Sequence, residues 1–206
     1  MALVSASPYV VTVSPALNVN SIKALITYAK ANPGKVRFGS SGPGSASHLS
    51  GELFASMVGV NLLHVPYKGT GQALTDLLAG HIDLMFAPAQ TVMPQIDSGK
   101  LIALAQTGPK RSEALPIMPT VSEAGLSGYN SVGWFGLFAP AGTNPAIVKK
   151  LNETVVSILE EPAIRQKLLG LGADPILMNV QEFTKFVRGD YALWAPIVKA
   201  SGAKPE

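Results

Sequence analysis

The sequence predicts an α/β fold with a largely parallel sheet. Short apolar, β-branched runs alternate with segments of helical period through the first half, and the junctions between them are rich in glycine, serine and proline. Composition agrees. Of 206 residues, 47% are hydrophobic and 14% charged, which suits a chain with a packed interior and argues against disorder or a charged tail.

The first clear strand is 9–13, ending at Ser14-Pro15. Ile22, Leu25, Ile26 and Ala29 then keep helical spacing behind Ser21, a residue type favoured as an N-cap. A short strand at 36–39 enters a glycine- and serine-rich loop, and Leu49, Leu53 and Met57 mark the next helix. The alternation continues with a strand at 62–67, a helix at 73–78 and strands at 82–86 and 101–106. Residues 109–128 are rich in turn formers and read as a connecting segment. An aromatic strand at 132–139 ends at Pro140-Ala141-Gly142, and three helices follow. Asn144-Pro145 forms a cap and first-turn pair. Pro162 starts the second helix and Gly170 can stop it. Asn179 with Glu182 gives a capping-box signal before Phe183, Phe186, Tyr191 and Trp194, and Pro196 is expected to kink or end that last helix.

Several function classes fall away at this level. The formal net charge is +3 and there is no cysteine, so thiol catalysis, disulfides and cysteine-held metals are excluded. Lysine and arginine are scattered rather than striped, which argues against nucleic-acid binding. No apolar run approaches the roughly 18 residues of a membrane span, and no basic-then-apolar signal opens the chain.

The segment Gly39-Ser40-Ser41-Gly42-Pro43-Gly44-Ser45-Ala46-Ser47-His48 lies between a strand and a helix. Its small residues allow tight turns, and the helix start adds partial positive charge, a combination suited to an anion. A serine-capped turn that binds only water is the plain alternative. The spacing is neither that of a Walker loop nor that of a dinucleotide fingerprint. Val65-Pro66-Tyr67-Lys68-Gly69-Thr70-Gly71 repeats the pattern with a cation, and 87–91 forms a third loop after a strand. Three loops at the C-terminal ends of consecutive strands gather on the edge where open α/β sheets bind ligands.

Catalytic constellations are weak. His48, His64 and His81 share no metal-ligand spacing, and no G-x-S-x-G elbow is present. His64 reads as a packed or hydrogen-bonded strand residue. Trp134 and Phe135 suit either a pocket wall or the core. No catalytic residue, cofactor or metal is expected.

The segments 36–42, Gly44-Ser45, His48-Leu49 and Gly51-Glu52-Leu53-Phe54 resemble the signature of the tripartite tricarboxylate transporter receptors, the Bug family. So do 64–69, 73–80, Arg111-Ser112, Leu115-Pro116, Pro119-Thr120-Val121, Gly133-Trp134-Phe135-Gly136 and 139–143. The resemblance covers essentially the whole chain, in order. It implies a type II periplasmic-binding-protein-like α/β fold, two lobes with mainly parallel sheets, of which the first is incomplete here. Residues 15–129 would form lobe 2, and 1–14 with 130–206 the remainder of lobe 1 with its crossover strands. The implied function is a periplasmic receptor, not an enzyme, that captures a small carboxylate between the lobes and delivers it to the membrane components of a tripartite transporter. By position, Ser40, Ser41, Gly44 and Ser45 would form one carboxylate-binding loop, Gly69 and Thr70 a second, and Ala87 and Gln90 the floor. His48 and Lys68 are further ligand candidates.

One departure stands out. Family members begin with additional strand–helix units of lobe 1, including a glycine-rich loop on the opposite wall. The expectation is therefore an N-terminally truncated chain, with its signal peptide absent, that self-associates and binds ligand poorly as a monomer. A ligand-sensing effector domain of a regulator is the alternative reading, and a two-lobed enzyme the third.

Overall fold

A computed structural model describes residues 1–203; the last three residues of the expected 130–206 segment lie outside the described residues. The organising element is β1, Ala2–Val13, in which most side chains are buried. It pairs with different partners along its length. Residues 2–8 run antiparallel to β6, Val132–Leu137, from Ala2 opposite Leu137 to Pro8 opposite Val132, and Ser5 and Ala6 also meet β7, Asp174–Pro175. Residues 9–13 lie between β4, Leu84–Pro88, and β5, Ile102–Gln106, antiparallel to both.

Beyond β4 come β2, Arg37–Ser40, and β3, Leu63–Pro66, giving the order β3-β2-β4-β1-β5. β2 is parallel to both of its neighbours. Along this path β1 alone runs against the rest, so the α/β expectation stands while the pairing is mixed. Strand direction is set by connections, and hydrophobic period carries no trace of it.

Helices cover both faces. α1, Ile22–Ala31, is capped by Ser21 Oγ, which accepts from the Ala24 amide at 3.1 Å. α2, Ala46–Val58, is capped by Ser45 and closed by Gly59 at φ 70°. α3 spans Thr70–Ala79 and α4 Ala89–Asp97. Side chains along β1 and β4 alternate between two cores. Val11, Val13, Leu84 and Phe86 pack with Ile22, Leu25 and Phe54, while Val10, Met85 and Ala87 pack with Leu77 and Val92 on the other face. Burial on both faces explains why 9–13 reads as a continuous apolar run.

After a turn-rich segment and β6, the chain forms α5, Pro145–Glu160, α6, Pro162–Gly170, and α7, Val180–Ser201. Both halves of the Asn179–Glu182 capping box are made. Phe183 is buried against Trp134, Phe138 and Phe186, whereas Tyr191 is 77% exposed. Among the described residues, no helix is long and apolar enough to cross a membrane.

Three local expectations need correction. β1 starts at Ala2, because pairing with β6 holds in a strand the small residues Ser5, Ala6 and Ser7 that carry little propensity of their own. The loop expected at 87–91 is the end of β4 and the first turn of α4. Pro196 neither ends α7 nor stops it short of Ser201. The carbonyl it deprives of a partner belongs to Ala192, which is exposed, as is Pro196, so water can take the missing bond. The two-residue β7 was not expected.

Candidate functional site

Because β2, β3 and β4 are mutually parallel, Ser40, Pro66 and Pro88 end on one edge of the sheet. The loop after β2 is built on glycines in left-handed conformations, Gly42 at φ 127° and Gly44 at φ 72°, which residues with a Cβ rarely adopt. Its hydroxyls close the turn on itself. Buried Ser40 accepts the Gly42 amide at 3.1 Å and lies 2.6 Å from His64 Nε2. The Ser41 amide donates to Ser47 Oγ at 3.0 Å. Ser45 Oγ donates to the Gly42 carbonyl at 2.6 Å while accepting the His48 amide at 3.3 Å. The first-turn amides of Ala46 and Ser47 have no protein acceptor among the described residues. They are the donors a helix start offers to an anion.

Beneath the loop sits an aromatic stack. His48 and His64 lie 3.8 Å apart at 19°, and Phe38 lies 4.8 Å from His64 at 28°. His48 is 4% exposed. Its Nδ1 accepts the Gly44 amide at 3.1 Å, which leaves the ring proton on Nε2, 3.5 Å from Glu52 Oε1. Burial, then the neighbouring His48, holds the His64 imidazole down at about 4 from an ordinary 6.5. Both histidines thus support the loop from behind. His64 does what its strand position suggested, and His48 supports rather than faces solvent.

The turn after β3 adjoins this loop. The Tyr67 amide donates to the Ser40 carbonyl at 3.1 Å, and a Cβ on Gly42 would come within 3.4 Å of the Tyr67 carbonyl. Lys68 is exposed, with its amide bonded to Gln72 Oε1. Gly69 is extended with open space around it, and Thr70 opens α3. Ala87 is buried in β4, and Gln90 is exposed on α4.

A cavity of about 430 Å³ opens beside the loop, within the range of small-molecule sites. Gly44, Ala46 and Leu49 form one side, Pro88 and Gln90 another. Ser7 and Tyr9 of β1, Val132 to Phe135 of β6, and Asp190 and Trp194 of α7 complete it. Among the expected site residues, Gly44 and Gln90 reach this cavity. Ser40, Ser41, Ser45 and His48 lie behind Gly44, Ala87 lies next to the lining Pro88, and Lys68, Gly69 and Thr70 sit on the adjoining turn. Trp134 and Phe135 do line the pocket. Asp190 was missed: its carboxylate accepts Trp134 Nε1 at 3.0 Å and Trp194 Nε1 at 3.1 Å. The spacing of Asp190 and Trp194, one helical turn apart, was the only trace of it in the sequence.

Residues 1–203 match the family described as "Tripartite tricarboxylate transporter family receptor". Protein BugT of Bordetella pertussis is 34% identical over 204 residues, which is 99% of this chain and 63% of BugT. The chain thus spans less than two thirds of that relative. The structure of R. palustris Rpa4515 with adipate superimposes with a TM-score of 0.84 at 36% identity, covering 100% of this chain and 69% of that one. The periplasmic binding protein BugD gives 0.78 at 35% identity, covering 99% and 69%. These likenesses bear out the expected fold class.

Proposed function

The chain belongs to the tripartite tricarboxylate transporter receptor family, and we propose that it captures a small carboxylate in the cavity beside the 40–45 loop, without turnover. The observation that carries this reading is the juxtaposition of unpaired first-turn amides at Ala46 and Ser47 with a 430 Å³ cavity that Ala46 itself lines. Carboxylate oxygens are strong acceptors for such amides, and the aligned peptide dipoles favour the charge. The likeness to a receptor solved with adipate supports a carboxylate as cargo.

In the same reading the protein works in the periplasm and hands its cargo to membrane components of a tripartite transporter. The description of BugD as a periplasmic binding protein supports the compartment. Residues 15–129 act as one lobe and 1–14 with 130–206 as the other. The change of partners along β1 at Tyr9 supports a division into two lobes, with residues 9–13 seated in the sheet of the 15–129 lobe. Phe138, Ile147 and Tyr191, exposed by 61%, 53% and 77%, favour self-association of the chain, to be read by light scattering across a concentration series.

Calorimetry of the full-length protein with C4–C6 dicarboxylates, followed by mass spectrometry of the recovered ligand, tests capture without turnover. Saturable binding with the acid returned unchanged is expected. Chemical conversion of the acid, or no binding by any of them, overturns the reading.

A further inference from the structure

We propose that the cavity selects carboxylates with a dry, apolar body, and that Trp134, Phe135 and Trp194 impose this choice, with Asp190 as a positioning residue. The proposal rests on the carboxylate-binding reading above and narrows its substrate class.

Three observations carry it. First, among the described residues no lysine, arginine or histidine lines the cavity, and the one charged side chain there is Asp190. A ligand carboxylate at the Ala46 amides has neutral donors. A second carboxylate held among these residues would meet the acidic Asp190, so the far carboxylate of a dicarboxylate has to reach past them to water.

Second, the indoles cannot offer hydrogen bonds to a ligand. An indole has a single donor, and both are already directed to Asp190, at 3.0 and 3.1 Å. With those donors engaged, the indoles of Trp134 and Trp194 have only ring surface left to offer a ligand. A hydroxyl on the ligand body set against the indoles would lose water and gain no partner from them, whereas methylene or ring carbons would pack there; Ser7, Tyr9 and Gln90 are the other polar residues of the lining.

Third, the wall is held in place. Asp190 ties an indole from β6 to one on its own helix. Trp134 is also braced edge-on by Phe183 at 5.9 Å and Phe186 at 5.4 Å, with interplanar angles of 87° and 76°. A braced wall discriminates better than one that can turn aside.

The test is a titration of the full-length protein with acids paired by charge: adipate against malate, and benzoate against lactate. The apolar member of each pair is expected to bind tighter by roughly tenfold or more, the usual discrimination of an apolar pocket. Phe135→Ser changes a side chain that is 70% exposed, so the fold does not depend on it; it should pull both ratios toward one. Asp190→Ala frees both indole donors and should do the same, a change in preference that mere loosening of the fold would not produce. Tighter binding of malate and lactate by the unsubstituted protein, or ratios untouched by either substitution, overturns the proposal while leaving carboxylate capture standing. Failure of all four acids to bind removes the reading beneath it as well.

Discussion

His64 is a side chain whose chemistry is strongly altered by its surroundings. Phe38 and His48 both stack against it, Ser40 Oγ lies at its Nε2, and the Glu52 carboxylate favours its proton. A histidine held at about 4 when folded and near 6.5 when unfolded binds its proton more readily in the unfolded chain. Its contribution to stability is therefore complete above pH 6.5 and is lost as the pH falls toward 4. We expect urea denaturation to show about 1–2 kcal/mol less stability at pH 4.5 than at pH 7 from this ring, a value reduced by water screening of a half-buried group. In His64→Gln that part of the pH dependence should vanish; an unchanged profile would mean that the ring does not govern it. The 40–45 loop was legible at this scale, because glycine and serine in that density have few uses besides tight turns and caps. Asp190 was not legible, because one of its two partners, Trp134, is 56 residues away in sequence.

At the scale of elements, the decisive feature is where β1 changes partners. Thr107 fastens that point: its amide donates to the Tyr9 carbonyl at 2.9 Å, and its Oγ1 accepts the Tyr9 amide at 2.8 Å. The same hydroxyl donates to the Ser131 carbonyl, while the Ser131 amide returns to the Thr107 carbonyl at 2.9 Å. One fully buried hydroxyl thus joins the strand entering from β1 to the strand leaving for β6. Thr107→Val keeps the shape and removes the hydroxyl, leaving the Tyr9 amide and Ser131 carbonyl short of a partner. A loss of about 1–3 kcal/mol is expected in thermal or denaturant unfolding, against less than about 0.5 kcal/mol if the bonds were replaceable by water. Most helices were legible here because Ser21, Asn144-Pro145 and Asn179 with Glu182 mark their starts chemically. α4 was hidden because its first residues follow Pro88 without a capping side chain. The N-terminal half of β1 was hidden because pairing, rather than residue type, makes it a strand.

At the scale of the molecule, the order β3-β2-β4-β1-β5 brings the loops after β2 and β3 and the β4–α4 junction to one edge, and the long β1 sets the aromatic wall of β6 and α7 across from them. The α/β class and the gathering of loops could be read from alternation and turn chemistry. The antiparallel course of β1 and the identity of the facing wall could not, since both depend on contacts distant in sequence. Together they make a cavity that offers amides at one end and ring surface along its side. The most direct measurement is a crystal structure of the full-length protein with adipate. One carboxylate group is expected within hydrogen-bonding distance of the Ala46 and Ser47 amides, with the methylene chain against Trp134. Adipate bound elsewhere, with the 40–45 loop turned away from it, would mean that these amides are not the carboxylate site.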